Sequence, residues 1–156
     1  MRQATVEELA YIAGIVDGEG SIGIQSRSPK YSRAFAIRLS IIMTTSQPGR
    51  LCHEVFGGNF CAENRVTVTG KPIYRWVIYC TKAAVVLQQL IPYLRVKKAV
   101  AEDCIALTKF YHQGKTLTQV RLEQREGLYN RILSYTGRSA VEVADESCRE
   151  NQPKEE

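Results

Sequence analysis

The stretch Thr5-Val-Glu-Glu-Leu-Ala-Tyr-Ile-Ala-Gly-Ile-Val-Asp-Gly-Glu-Gly20 decides how the chain is read. It opens with a capping-box pattern, since Thr5 can cap the first turn and Glu8, three residues on, can reach back to it. Leu9, Ile12, Ala13 and Val16 recur at helical spacing, with Ile15 beside them, so one side of the helix faces a core. Ala10, Gly14 and Gly18 fall four apart and make a second, nearly bare face. Each glycine inside a helix costs about 1 kcal/mol relative to alanine, and close approach of another backbone is the usual compensation. The stretch ends on two carboxylates, Asp17 and Glu19, each followed by glycine. The carboxylates sit badly there, because the C-terminal end of a helix already carries partial negative charge. A bound cation would turn that penalty into a use.

Outward from this helix, the composition is that of a globular chain: 156 residues, 44% hydrophobic, 24% charged, formal charge +5. That length suits a single domain with its own core. No apolar run approaches membrane-spanning length. The N-terminus has acids and a helix start where a secretory leader would be basic and then apolar, so secretion is not expected. The five cysteines (52, 61, 80, 104 and 148) are odd in number and lack CxxC spacing. They read as free or buried thiols in a reducing compartment, cytoplasm or organelle matrix, and argue against a zinc site. Residues 138–156 are net acidic and lack large apolar side chains, which suggests a mobile tail behind a domain spanning 1–137. The rest of the chain is correspondingly more basic and suits a polyanionic partner.

No Asp or Glu occurs from Gly20 to His53, while Arg27, Lys30, Arg33, Arg38 and Arg50 all do. Period-two alternation predicts two strands in this acid-free segment, around Ser21–Arg27 and Ala36–Thr44. Ser21, Gly23, Gln25 and Arg27 share a face with Arg38, Ser40, Ile42 and Thr44; Ile22, Ile24, Ile37, Leu39, Ile41 and Met43 point the other way, toward a core. One-signed charge on such a face favours nucleic acid. Ser46 and Pro48 predict the start of a short helix ending at Phe56-Gly57-Gly58. A second hairpin follows, Phe60–Val68 and Ile73–Tyr79, with the turn at residues 69–72. Arg75, Val77 and Tyr79 share one face of the last strand and Tyr74, Trp76 and Ile78 the other; this strand alone does not say which is buried. Thr81 is expected to cap the next helix, which stops near Pro92. Two more helices are expected over about 96–110 and 120–135.

Ile12-Ala-Gly-Ile-Val-Asp-Gly-Glu-Gly20 resembles the nine-residue signature of the LAGLIDADG homing endonucleases. Ala13, Gly14, Asp17 and Gly20 match by identity, while Ile12, Ile15, Val16 and Glu19 match in kind; Glu19 stands where the family more often has aspartate. The order helix, two strands, helix, two strands, helices extends the resemblance over roughly residues 5–135. It implies an α+β fold, an αββαββα core whose two antiparallel hairpins form a four-stranded DNA-binding sheet, followed by C-terminal helices. The signature occurs once, and a single-motif chain of this family works as a homodimer, here through Ala10, Ala13, Gly14, Asp17 and Gly18. The implied activity is hydrolysis of both strands of a long, near-palindromic double-stranded DNA site, using Mg²⁺ or another hard divalent cation such as Mn²⁺. No organic cofactor and no membrane partner are expected.

By the same resemblance Glu19 is a direct metal ligand, helped by the Gly18 carbonyl, and Asp17 is structural or a second ligand. Leu39-Ser-Ile-Ile-Met-Thr-Thr-Ser-Gln47 resembles the strand leading to a glutamine that orders the attacking water. Ile91-Pro-Tyr-Leu-Arg-Val-Lys97 resembles the segment ending in a lysine that stabilises developing charge; Lys98 takes that place if the register shifts by one. The implied DNA contacts are Ser21, Gln25, Arg27, Lys30, Arg33, Arg38, Ser40, Thr44, Arg50 and Arg75. Among them Arg27 and Arg38 suit guanine edges, Gln25 suits adenine, and Lys30 and Arg33 suit phosphates. His53 and His112 lie in no ligand or triad spacing. Two rival functions fit the same residues: an RNA maturase that assists intron splicing, and a DNA-binding regulator without catalysis.

Overall fold

A computed structural model describes residues 2–26, 35–110 and 119–136. Arg27, Lys30, Arg33, His112, Cys148 and the acidic tail lie outside the described residues. The element order is α1 (Val6–Glu19), β1 (Gly20–Ser26), β2 (Phe35–Met43), α2 (Gln47–Phe56), β3 (Asn59–Val66), β4 (Pro72–Tyr79), α3 (Cys80–Leu90), α4 (Lys98–Leu107), a 3-10 turn (Thr108–Phe110) and α5 (Gln119–Thr136). The expected α+β succession αββαββα with trailing helices is the one observed.

α1 begins as its sequence dictates. The Thr5 hydroxyl accepts from the Glu8 N–H, and the Glu8 carboxylate accepts from the Thr5 N–H. Arg2 donates to the same carboxylate. The Arg2 guanidinium, with the Thr5 N–H, holds the Glu8 carboxyl down at about 2. Ile12, Ala13 and Val16 are buried and begin the core.

The four strands form one antiparallel sheet in the order β1-β2-β4-β3. Residues directly opposite across an antiparallel ladder share a face. The pairs Ile22–Leu39, Ile24–Ile37, Ile41–Trp76 and Leu39–Ile78 therefore lie on one face, and Gly23–Arg38, Ser40–Val77, Ile42–Arg75 and Cys61–Arg75 on the other. The first set joins Ile12, Val16, Cys52, Phe56, Leu87 and Leu90 in a continuous core. This resolves β4: Trp76 and Ile78 point inward.

Trp76 is fully buried, and its Nε1 donates to the Gly57 carbonyl at 2.7 Å. Gly58 sits at φ +85, and a Cβ there would lie 2.8 Å from the Val77 carbonyl oxygen, so only glycine lets α2 turn back onto the sheet. Gly49 places α2 flat against Phe60, whose ring would lie 2.7 Å from a Cβ at that position.

Three helix starts differ from expectation. α3 follows β4 without a loop: Tyr79 occupies the cap position, Cys80 carries φ 56, and Thr81 lies inside the helix with no capping bond. Ser46 does precede α2, but its backbone is already helical and its hydroxyl makes no capping bond. α4 starts at Lys98, later than the periodicity suggests, because residues 95–97 are held out of the helix by Asp17.

Candidate nucleic-acid interface and acidic tip

The end of α1 is fastened to the entry of α4 by two reciprocal sets of bonds. The Asp17 carboxylate accepts the backbone N–H groups of Arg95 at 2.7 Å, Val96 at 3.2 Å and Lys97 at 2.9 Å. In return the Lys97 Nζ donates to the carbonyls of Val16 at 2.8 Å, Asp17 at 2.9 Å and Gly20 at 2.8 Å. Partial burial pushes the Asp17 carboxyl upward, but the three N–H donors, with Lys97 nearby, outweigh it and hold the group below its ordinary range. The negative end of α1 thus receives a cation from its own chain.

Of the two carboxylates that end α1, only Glu19 remains exposed. The Gly18 carbonyl beside it is not among those that Lys97 takes. Together they present hard oxygen donors suited to Mg²⁺ or Mn²⁺. No three His, Cys, Asp or Glu residues cluster among the described residues, so a cation at Glu19 would draw its remaining oxygens from backbone, solvent, phosphate or a second chain.

The register Gly20–Ile41 sets Glu19 at the end of the sheet where β2 runs out toward Gln47. Gln47 is exposed at the first position of α2. Arg50 follows on the same helix, exposed, its guanidinium 5.8 Å from the Phe60 ring centroid. Lys97 is also at this end, under the α1 tip through its bond to Gly20, whereas Lys98 is exposed as the first residue of α4.

The face opposite the core carries Ser21, Gln25, Arg38 and Arg75, with Ser21 exposed and the others half-buried. Thr44 is exposed just beyond β2. Ser40 belongs to the same face but is only 1% exposed. A short side chain on an inner strand is overshadowed by its neighbours, so the expected Ser40 contact is corrected: its hydroxyl is out of reach in the free chain. The Nε of Arg38 and the Oγ of Ser40 are buried without a hydrogen-bond partner among the described residues.

The bare face of α1 also needs one correction. Ala10, Gly14 and Gly18 are exposed, but Ala13 is fully buried in the chain's own core, as helical spacing requires once Ile12 and Val16 face inward. Asp17 is committed to residues 95–97 of the same chain. A Cβ at Gly14 or Gly18 would meet nothing within 4 Å. Val6 (61% exposed), Tyr11 (53%) and Val96 (76%) add exposed apolar surface.

Sequence reasoning missed Glu63 and Arg65. Glu63 forms ion pairs with both Arg65 and Arg75 on the face opposite the core. The alternation Cys61, Glu63, Arg65 along β3 is the signal that marks them. Cys52, Cys61, Cys80 and Cys104 are free thiols, and burial pushes Cys52 and Cys104 up to about 12. His53 is exposed and bonds the Gly58 carbonyl through Nδ1 at 3.0 Å. No helix among the described residues is long and apolar enough to cross a membrane.

No family model and no curated protein matches the chain. Solved structures do. The homing endonuclease I-CvuI, in complex with the I-CreI target, is 20% identical with a TM-score of 0.66 over 92% of this chain and 94% of that one. The archaeal intron-encoded homing endonuclease I-Vdi141I, complexed with DNA, is 15% identical with a TM-score of 0.66 over 92% and 96%. The LAGLIDADG homing endonuclease I-SmaMI, bound to cleaved DNA, is 15% identical with a TM-score of 0.64, covering 99% of this chain and 52% of that one. A four-stranded sheet behind an α1 that ends in Asp-Gly-Glu is thus found together with close overall similarity to these structures, and the chain has the LAGLIDADG homing endonuclease fold.

Proposed function

We propose that the chain is a site-specific DNA endonuclease that acts as a homodimer and uses Mg²⁺ or a similar divalent cation. The observation that carries this reading is the exposed Glu19 carboxylate, on a tip fixed by Asp17 and Lys97, at the end of a sheet whose outer face carries Arg38 and Arg75. The DNA-bound homing endonucleases of the same fold support it.

Gly14 and Gly18 support the dimer. Each costs about 1 kcal/mol in a helix, and among the described residues nothing lies within 4 Å of a Cβ placed at either. A second α1 packed there would bring two Glu19 tips together, one for each strand. Two adjacent carboxylates resist joint ionisation. A divalent cation, when bound, would relieve that conflict, lower the pKa of a bound water and offset charge on the attacked phosphate.

The chain's own residues supply the remainder. Gln47 would orient the water. Arg38 and Arg75, with Ser21, Gln25 and Thr44, would hold the duplex across the sheet, and Arg50 would hold a phosphate near the α2 start. Lys97 would keep the Val16, Asp17 and Gly20 carbonyls turned inward, so that the Glu19–Gly18 edge stays outward. Arg27, Lys30 and Arg33, outside the described residues, would add positive charge that a DNA partner neutralises.

The test starts from a duplex enriched from a randomised library by the wild-type chain. Cutting in Mg²⁺, loss of cutting in chelator, and a Glu19→Gln variant that binds the duplex but cuts at least a thousandfold more slowly are expected. Wild-type cutting by Glu19→Gln would overturn the assignment. Binding without cleavage in any divalent metal would leave a DNA-binding regulator.

A further inference from the structure

Resting on the reading of the sheet as a DNA-binding surface, we propose that Glu63 is a positioning residue that locks Arg65 and Arg75 as a pair of guanine readers. β3 is an edge strand, and its register with β4 shifts between Ala62 and Val66. Glu63 sits in that irregular stretch. Its Oε2 accepts from the Arg65 Nε, and its Oε1 lies 3.1 Å from the Arg75 Nε. One carboxylate therefore hydrogen-bonds the Arg65 Nε and ion-pairs with Arg75, whose Nε faces it.

The exposures show which end is presented. The Glu63 side chain is 9% exposed, whereas Arg65 is 67% and Arg75 40% exposed. Among the described residues no partner occupies the Nη atoms of either arginine. With its Nε turned toward the carboxylate, each arginine keeps its two-Nη edge, which can donate two parallel bonds to O6 and N7 of guanine in the major groove. Phosphate binding requires no such restraint, since a mobile guanidinium finds a phosphate from many directions. A nearly buried acid on a surface meant for DNA would otherwise only repel the ligand. Its placement is explained if what it contributes is orientation.

The two explanations give opposite signs. If Glu63 merely adds negative charge, Glu63→Gln tightens binding to every duplex alike and leaves base preference intact. If it positions the arginines, Glu63→Gln erases a preference while non-specific binding holds or rises, because the amide replaces one of the two acceptor oxygens with an NH2 group that faces an Nε–H donor.

The experiment is enrichment of duplexes from a randomised library by wild type, Glu63→Gln, Arg65→Ala, Arg75→Ala and Arg75→Lys. Melting curves accompany each variant, and Glu102→Gln, an exposed acid on α4, controls for charge. Wild type is expected to enrich guanine at two columns per half-site. Arg65→Ala loses one column and Arg75→Ala the other, while Arg75→Lys, which keeps the charge, also loses its column. Glu63→Gln weakens both by about tenfold. It does so without lowering the salt dependence of binding, which each arginine-to-alanine change reduces by about one counterion. The double variant Glu63→Gln/Arg75→Ala is no worse than Arg75→Ala at the Arg75 column. A Glu63→Gln pool identical to wild type overturns the proposal and leaves the DNA reading standing. A wild-type chain that enriches no sequence overturns both.

Discussion

Asp17 and Lys97 show how a motif residue can be recognisable while its role is not. The sequence places Asp17 at the end of α1, and the motif marks it as acidic. Its partners are the N–H groups of residues 95–97, far along the chain, and backbone donors leave no trace in composition. Glu19 shares the same local pattern but no described partner claims it, so the two acids divide into a brace and an exposed carboxylate. The brace should be visible in acid. Its folded pKa is depressed, so the stability it adds is complete above the unfolded value of about 3.9 and fades as pH falls through the lower folded value. Asp17→Asn is expected to cost about 1–2 kcal/mol at neutral pH. The melting temperatures of wild type and variant should converge as pH falls through the depressed folded value and the wild-type carboxyl is protonated. An unchanging gap across that range would show that the bonds, not the charge, set the difference.

Among elements, α1 and the β1–β2 hairpin were the most legible, because both have a strict period and one buried face. The alternation in residues 20–44 named the inward set Ile22, Ile37, Leu39 and Ile41 correctly. β4 resisted, since Tyr74, Trp76 and Ile78 and the alternate set Val77 and Tyr79 are both apolar. Only the pairing Ile41–Trp76 decides between them. The start of α3 was misread because Thr81 looks like a cap, while the chain passes from strand to helix at Cys80 with no loop to cap. The junction of α1 and β1 also has no loop and is crowded. A Cβ at Gly20 would lie 2.7 Å from the Val16 Cα and 2.8 Å from its carbonyl oxygen, backbone atoms that cannot yield. Gly20→Ala should therefore lose about 1–3 kcal/mol in chemical denaturation. Its backbone is extended rather than left-handed, so the cost comes from crowding. A melting curve equal to wild type would show that α1 can shift away.

For the whole molecule, the sequence conveyed the order of elements and the separation of an apolar face from an arginine-bearing one. It could not convey which face the proposed second copy would cover. The bare α1 face is the place to ask. Gly14→Leu fills open space in the single chain, so folding should survive, while sedimentation should show a monomer where wild type shows a dimer. The monomer should retain weak, non-specific DNA binding and lose double-strand cleavage. A Gly14→Leu chain that still sediments as a dimer would place the two-fold contact elsewhere.

The single tryptophan of the chain lies between these scales. Trp76 points into the core from the same strand that sends Arg75 outward one residue earlier. An indole sealed from solvent emits toward the blue and is shielded from iodide. Fluorescence from this one side chain therefore reports whether the sheet is intact and is silent about what touches the opposite surface. Spectral titrations with duplex would register only those ligands that bend the platform itself.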